Sequence, residues 1–233
     1  MELLAYLVVT LAALAGAYVF LQRVWFYRDP PRRAPDRPDT VVSPADGIVL
    51  YVRPFAGGEV VAEKQGTRIQ VEEILRLDLP QKEGWLVGIY MSPLDVHFNY
   101  APMAGEVTRV VYTPTGINLS MVGLLSFFRL TFLRRPADLL TARYRLVNER
   151  NTIVFQAGER MVAAVEICDR VVNRITCFVR EGDRVAAGQK ISFIDRGSQV
   201  DLVIFDPAVT VHCRVGDRVR GAETVLATFA ARP

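Results

Sequence analysis

The sequence predicts a mainly β domain behind an N-terminal transmembrane helix. Three observations carry this: a long uncharged apolar run at the start, eight short runs with the period of sheet beyond residue 40, and internal repeats that fall on turns between strands. At 233 residues the chain is long enough for one well-buried domain and an appendage. Hydrophobic residues make up 51% of it and charged residues 23%, which is apolar for a soluble chain, so the surplus is expected to be local.

The surplus lies at the N-terminus. From Leu3 to Leu21 the run LLAYLVVTLAALAGAYVFL holds 19 residues without a charge, which at 1.5 Å per residue spans roughly 28 Å of hydrocarbon. A cleaved signal peptide calls for a basic flank before a shorter run. Here Glu2 precedes the run, and Arg23, Arg28, Arg32, Arg33 and Arg37 follow it. Residues 1–22 therefore read as an anchor in the cell membrane, with the remaining chain on the cytoplasmic side. Trp25, Phe26 and Tyr27 stand where an interfacial aromatic belt is expected. Residues 23–40 are basic and Pro-rich. Pro30, Pro31, Pro35 and Pro38 exclude helix and predict a short, stiff spacer that keeps the following domain close to the bilayer.

Residues 41–233 form the third segment. GIVLYV at 47–52, TRIQV at 67–71, WLVGIYM at 85–91, GEVTRVVY at 105–112, NTIVFQA at 151–157, RMVAAVEI at 160–167, QVDLVIF at 199–205 and VTVHC at 209–213 alternate or are rich in β-branched residues. A long helical pattern is missing except around Asp169 to Ile175. EGDRVAAGQKISFI at 181–194 and VGDRVRGAETVLATF at 215–229 share Gly-Asp-Arg-Val and a later turn. VVSPADGIVLYV at 41–52 and YAPMAGEVTRVVY at 100–112 share a Pro-x-x-Gly-x-Val turn. These elements resemble the halves of a barrel-sandwich hybrid, the fold of biotinyl and lipoyl carrier domains. VGLLSFFRLTFLRRPADLL at 122–140 breaks the pattern. It reads either as a buried hairpin or as an interfacial element that dips Leu124, Phe127, Phe128 and Phe132 into the bilayer while Arg129, Arg134 and Arg135 meet lipid phosphates.

Several function classes are excluded. A net charge of +3 with scattered arginines gives no nucleic-acid footprint, and an anionic membrane surface is the more natural partner. Cys168, Cys177 and Cys213 form no CxxC pair, so neither a disulfide framework nor a metal site is indicated. GxSxG, HExxH, P-loop and dinucleotide fingerprints are missing. His97 lies in MSPLDVHFNYAP, where Pro93 and Pro102 exclude helix and Asp95 stands two residues before it. His212, in VTVHC, reads as a strand residue, and Asp46 sits at the Asp-Gly turn of SPADG. Ser198 follows Gly197 in IDRGSQVDLV. None of these is a signal alone.

Their order is more specific. SPADG at 43–47, SPLDVH at 92–97, NERN at 148–151 and ICDRVVNRITCFVREGDRVAAGQKISFIDRGSQVDL at 167–202 together resemble the short, archaeal-type form of the phosphatidylserine decarboxylase family. The resemblance covers nearly everything from Val41 to Phe205, and the anchor with its Arg-Asp-Pro segment also resembles that family. It implies an enzyme that makes its own covalent pyruvoyl cofactor. The Ser198 hydroxyl attacks the Gly197 carbonyl, β-elimination of the resulting ester leaves dehydroalanine, and hydrolysis gives the pyruvoyl group with loss of ammonia. The products are two chains, 1–197 and 198–233, held as a heterodimer. Glycine suits the scissile position because its carbonyl is unhindered. Serine is a poor nucleophile unless a base oriented by a carboxylate assists it; His97 and Asp46 match, with Asp95 a further candidate. The substrate implied is phosphatidylserine, decarboxylated to phosphatidylethanolamine, with His97 placed to protonate the carbanion. Tyr100 stands where larger members carry a second histidine, and Arg196 and Gln199 replace the usual aromatic and basic neighbours of the cleavage pair. Two other readings are a decarboxylase of an archaeal-type ether phosphoserine lipid and a non-catalytic barrel-sandwich adaptor on a membrane tether. No lysine sits at the repeated turns, which disfavours a carrier.

Overall fold

The computed structural model describes residues 1–61, 67–116, 118–137, 139–170, 175–195 and 198–230, without the side chains of Gln22, Leu124 and Ser198. The apolar run forms α1 (Glu2–Phe20), which continues as a π-helical turn over Leu21–Trp25. No residue of α1 is buried, and the helix is long and apolar enough to cross a membrane. Strands β1 (Thr40–Val42), β2 (Gly47–Ala56), β3 (Glu59–Val61) and β4 (Arg68–Gln70) follow, then α2 (Val71–Leu75), β5 (Gly84–Met91), β6 (Phe98–Tyr100) and β7 (Gly105–Thr113). Helices α3 (Leu124–Thr131) and α4 (Tyr144–Val147) separate these from β8 (Arg150–Ala157) and β9 (Arg160–Cys168). The chain ends with β10 (Ile175–Cys177), β11 (Arg184–Val185), β12 (Lys190–Ile194), β13 (Ser198–Ile204), β14 (Thr210–Val211), β15 (Arg218–Val219) and β16 (Val225–Thr228).

The fold is mainly β, as the alternation predicts. Its frame is an antiparallel sheet in the order β11-β7-β8-β9-β13-β5-β2-β3-β4, with β15 added beside β2. Two smaller sheets, β1-β16-β14 and β10-β12-β6, complete it. Strand β13 lies between β5 and β9, so both its edges are bonded: Ser198 stands opposite Met91 on one side and Cys168 on the other. The sheet is covered on both faces. Val200, Leu202 and Ile204 pack with Ile89, Ile153, Ile191 and Leu226 on one side, while Val203 packs with Val165, Leu130, Ile74 and Tyr144 on the other. Each such fully buried aliphatic side chain contributes about 1.5–3 kcal/mol of hydrophobic stabilisation.

The repeats pair in space. Arg184 and Val185 lie opposite Glu106 and Gly105, and Arg218 and Val219 lie opposite Ile48 and Gly47. In both, the aspartate of Gly-Asp-Arg-Val closes its own turn: Asp183 accepts from the Arg180 N–H and Asp217 from the Arg214 N–H, each at 2.8 Å. Residues 171–174, most of the stretch with a helical pattern, lie outside the described residues, and Ile175 opens β10.

The Pro-rich segment is laid onto the domain: Arg32 pairs with Asp46 at 2.7 Å and Glu223 at 3.3 Å, Lys190 bonds Asp29, and Arg160 donates to the Pro38 carbonyl at 3.0 Å. The segment at 122–140 contains a helix, not a hairpin. Leu130 anchors α3 in the core, while Leu125, Phe128, Phe132 and Leu133 are exposed.

Candidate active site

His97 follows β5 on the bend that leads into β6. Its carbonyl accepts the Ile194 N–H at 3.1 Å, which ties the bend to the strand leading toward residue 197. The side chain is fully buried, hydrogen-bonded to the Asp95 backbone, with the ring of Phe26 over it at a centroid distance of 3.9 Å. Burial drives the imidazole pKa down to about 3 against the opposing pull of the Asp95 charge, so His97 is neutral at pH 7. Phe26 is therefore no belt residue. It is buried against His97 and packs edge-on to Phe193, while Tyr27 stacks on Phe193 and the Trp25 indole donates to the Leu94 carbonyl at 3.3 Å.

The two aspartates have different surroundings. Asp95 accepts from the Ser92 hydroxyl at 2.6 Å, the Ser92 N–H at 2.9 Å and Arg134 at 2.9 Å. Asp46 accepts from Arg32 at 2.7 Å and from the Gly221 N–H at 2.7 Å, and burial raises its pKa despite both donors. Asp95 is the carboxylate whose charge acts on the imidazole. Tyr100 is buried behind Asp46 and Arg32, packed on Gly221, where a Cβ would fall 2.5 Å from its ring. Burial pushes its phenol up to about 12, which makes it a poor base. Gly197 lies outside the described residues. Ser198 is placed by its backbone as the first residue of β13.

Sequence reasoning missed two buried polar networks that flank β13. On one face the Glu166 carboxylate accepts from Asn99 and Asn151, each at 2.9 Å, and from Ser192. On the other, Asp201 accepts from Arg145 at 2.7 Å, from Tyr51 and from Gln199 at 2.6 Å, and Tyr144 donates to Gln199. Tyr51 reaches Asp201 across Gly88, where a Cβ would lie 2.1 Å from its ring. The available signal was a lone acid inside an apolar run, Glu166 in VAAVEIC and Asp201 in VDLVIF. The NERN motif is explained in passing: Asn151 serves Glu166, and Asn148 donates to the carbonyls of Leu119 and Cys168, each at 2.7 Å.

Beside the His97 bend opens a cleft of about 610 Å³ whose lining includes Arg28, Asp46, Asp95, Arg134, Arg218 and Arg220. Within the described residues no His/Cys/Asp/Glu group is arranged to hold a metal.

Residues 20–227 match the family model described as phosphatidylserine decarboxylase. This chain belongs to the phosphatidylserine decarboxylase family. A protein of Methanocaldococcus jannaschii, provisionally named an archaetidylserine decarboxylase proenzyme, is 32% identical over 217 residues, 92% of this chain and 93% of that one. The phosphatidylserine decarboxylase proenzyme of Pelodictyon phaeoclathratiforme is 32% identical over 216 residues, covering 93% of this chain and 83% of the relative. That of Desulfotalea psychrophila is 30% identical over 205 residues, 87% and 77% of the two chains. The matched residues include the helical turn over Leu21–Trp25 that leads Phe26 onto His97 as well as β13, so this junction belongs to the part of the chain that the family model covers.

Proposed function

We propose that this chain decarboxylates phosphatidylserine to phosphatidylethanolamine with a pyruvoyl group formed from Ser198 as the chain cuts itself after Gly197. The observation that carries the reading is the family match over residues 20–227, which includes the Gly-Ser pair, the His97 bend and the juxtamembrane segment. Residue 198 suits such a group. Its backbone is held between β5 and β9, and the next polar side chains along β13, Gln199 and Asp201, are locked in a buried network, so β13 would hold the group through its amide. When formed, the group supplies an electron sink for the pair released as carbon dioxide leaves. Neutral His97 has the protonation state of a general base for Ser198, and a ring nitrogen that takes a proton there can return one to the substrate carbon. Asp95 orients the bend and favours the charged imidazole. Asp46 holds Arg32 and the Gly221 turn, which brings the juxtamembrane segment against the site. The fragments 1–197 and 198–233 stay together because β13 keeps both sheet neighbours after cleavage.

Helix α1 anchors the chain in the cell membrane with the domain on the cytoplasmic side, supported by the arginines after the span. The exposed Leu125, Phe128 and Phe132 of the α3 region dip into the same bilayer surface, since Arg134 at its end shares the cleft with Trp25. An ether phosphoserine lipid is the second reading, favoured by the name of the Methanocaldococcus relative.

Intact mass and a denaturing gel test the cleavage: the parent chain gives a fragment starting at residue 198 with a blocked N-terminus, and Ser198→Ala stays full length. Carbon dioxide release from diacyl and ether serine phospholipids, side by side, assigns the substrate. Normal processing of Ser198→Ala refutes the nucleophile.

A further inference from the structure

We propose that the arginine-lined cleft between the end of the membrane helix and the β2–β15 edge seats the phosphodiester of the lipid headgroup, with Arg28, Arg134, Arg218 and Arg220 supplying the charge. The inference rests on the serine-phospholipid reading above and adds the residues that bind the part of the substrate which does not react.

Charge comes first. Among the described residues the lining carries four guanidiniums, at Arg28, Arg134, Arg218 and Arg220, against the two carboxylates of Asp46 and Asp95, an excess of two positive charges. Both carboxylates are already engaged, Asp46 by Arg32 and the Gly221 N–H, Asp95 by Ser92 and Arg134. Arg28 is fixed by neutral groups: it donates to the Trp25 carbonyl at 2.8 Å and the Leu94 carbonyl at 2.6 Å, and its guanidinium lies over the Trp25 ring at 4.2 Å. Those contacts aim the side chain without neutralising it, and burial presses its pKa down. Arg218 and Arg220 are exposed at the rim. Guanidinium forks match the paired oxygens of a phosphodiester, and the described lining contains no lysine.

Gly47 lines the cleft, its neighbour Ile48 pairs with Tyr90, and the next residue of β5, Met91, pairs with Ser198. Two strand spacings of about 4.8 Å therefore put the cleft wall roughly 10 Å from the backbone of residue 198. In a serine phospholipid only two carbons and an oxygen separate the amine from phosphorus. An amine held at residue 198 thus keeps its phosphate near that residue, within reach of arginine side chains that extend from a wall roughly 10 Å away. Trp25 ends the helical run from the membrane and also lines the cleft, so the mouth lies at the depth of lipid headgroups. The anchor then does more than tether: through Arg28 it forms one wall of the binding site.

The test uses the full chain in phosphatidylcholine nanodiscs. On the Ser198→Ala background, where no turnover occurs, binding of glycerophosphoserine, inorganic phosphate and free serine is measured for the parent, for Arg28→Gln and for Arg218→Gln/Arg220→Gln. We expect glycerophosphoserine to bind more tightly than inorganic phosphate and each variant to weaken it by roughly tenfold, the loss typical of a charge-assisted hydrogen bond, with free serine unaffected. In the self-cleaving chain, with rates taken per cleaved molecule, the same substitutions raise KM for short-chain phosphatidylserine more than they lower kcat. Affinities and KM within twofold of the parent in the rim variant, whose side chains are exposed and do not hold the fold, overturn the proposal. Inorganic phosphate binding as tightly as glycerophosphoserine makes the cleft a general anion site and overturns the headgroup assignment. Failure of the parent to release carbon dioxide refutes the decarboxylase reading separately, because the binding arm does not depend on turnover.

Discussion

Uncovering His97 by Phe26→Ala should raise the pKa of its imidazole from about 3 toward the ordinary 6.5. The depression is mainly a burial effect, and Phe26 supplies one face of that burial with its ring 3.9 Å away. The gap between about 3 and 6.5 corresponds to about 5 kcal/mol disfavouring the imidazolium. Replacing the ring by a methyl group admits water on that face, and even a quarter of the penalty relieved is about one pH unit, easily resolved by NMR. The assay is simple because the chain has two histidines, and His212 serves as a reference. The sign of the linked stability follows. The folded pKa lies below the unfolded one, so between about 6.5 and 3 the unfolded chain binds the extra proton. Stability is lost as pH falls through that window, by up to about 1.4 kcal/mol per pH unit. His97→Gln should remove this part of the acid sensitivity. Phe→Ala in a packed site also costs roughly 3–5 kcal/mol, so Phe26→Leu, which keeps most of the volume, is the companion variant. An imidazole that titrates near 6.5 in the parent, or one still near 3 in Phe26→Ala, refutes the reasoning.

Other outcomes follow from the same geometry. His97→Ala should slow self-cleavage and decarboxylation by ~10²–10⁴-fold, measured by gel time course and carbon dioxide release, because Tyr100, raised to about 12, cannot substitute; parent rates in both would make His97 structural. Asp46→Asn should slow cleavage too, if the Arg32 contact holds the juxtamembrane segment over the site. Asp201→Ala leaves the fully buried Arg145 without its carboxylate, which should cost about 3–5 kcal/mol in denaturant unfolding, whereas Arg145→Met with Asp201→Leu should cost much less. A protease added from the extracytoplasmic side should leave the domain intact, and digestion from that side reverses the proposed topology.

Much of the frame was legible because it depends on local periodicity. Alternating or β-branched runs at 85–91, 105–112, 151–157 and 160–167 gave β5, β7, β8 and β9 to within a residue or so, since β-branched and aromatic side chains suit a pleated, buried surface. The Gly-Asp-Arg-Val repeats were visible because an aspartate that closes its own turn acts within four residues. The helix in 122–140 was not legible, because Leu130 is recruited by a core built from distant strands.

By itself the sequence determined the apolar span, the strand set, the two paired repeats and the ordered motifs that carry the family resemblance, all properties of short windows or of their order. Only the tertiary structure decided what surrounds each reactive group. Phe26 and His97 are 71 positions apart in the chain, and Glu166 and Asp201 collect partners from three and two other segments of it. Burial, and with it the protonation state of His97 and the cost of every enclosed charge, depends on which segments meet in space, and no local pattern encodes that.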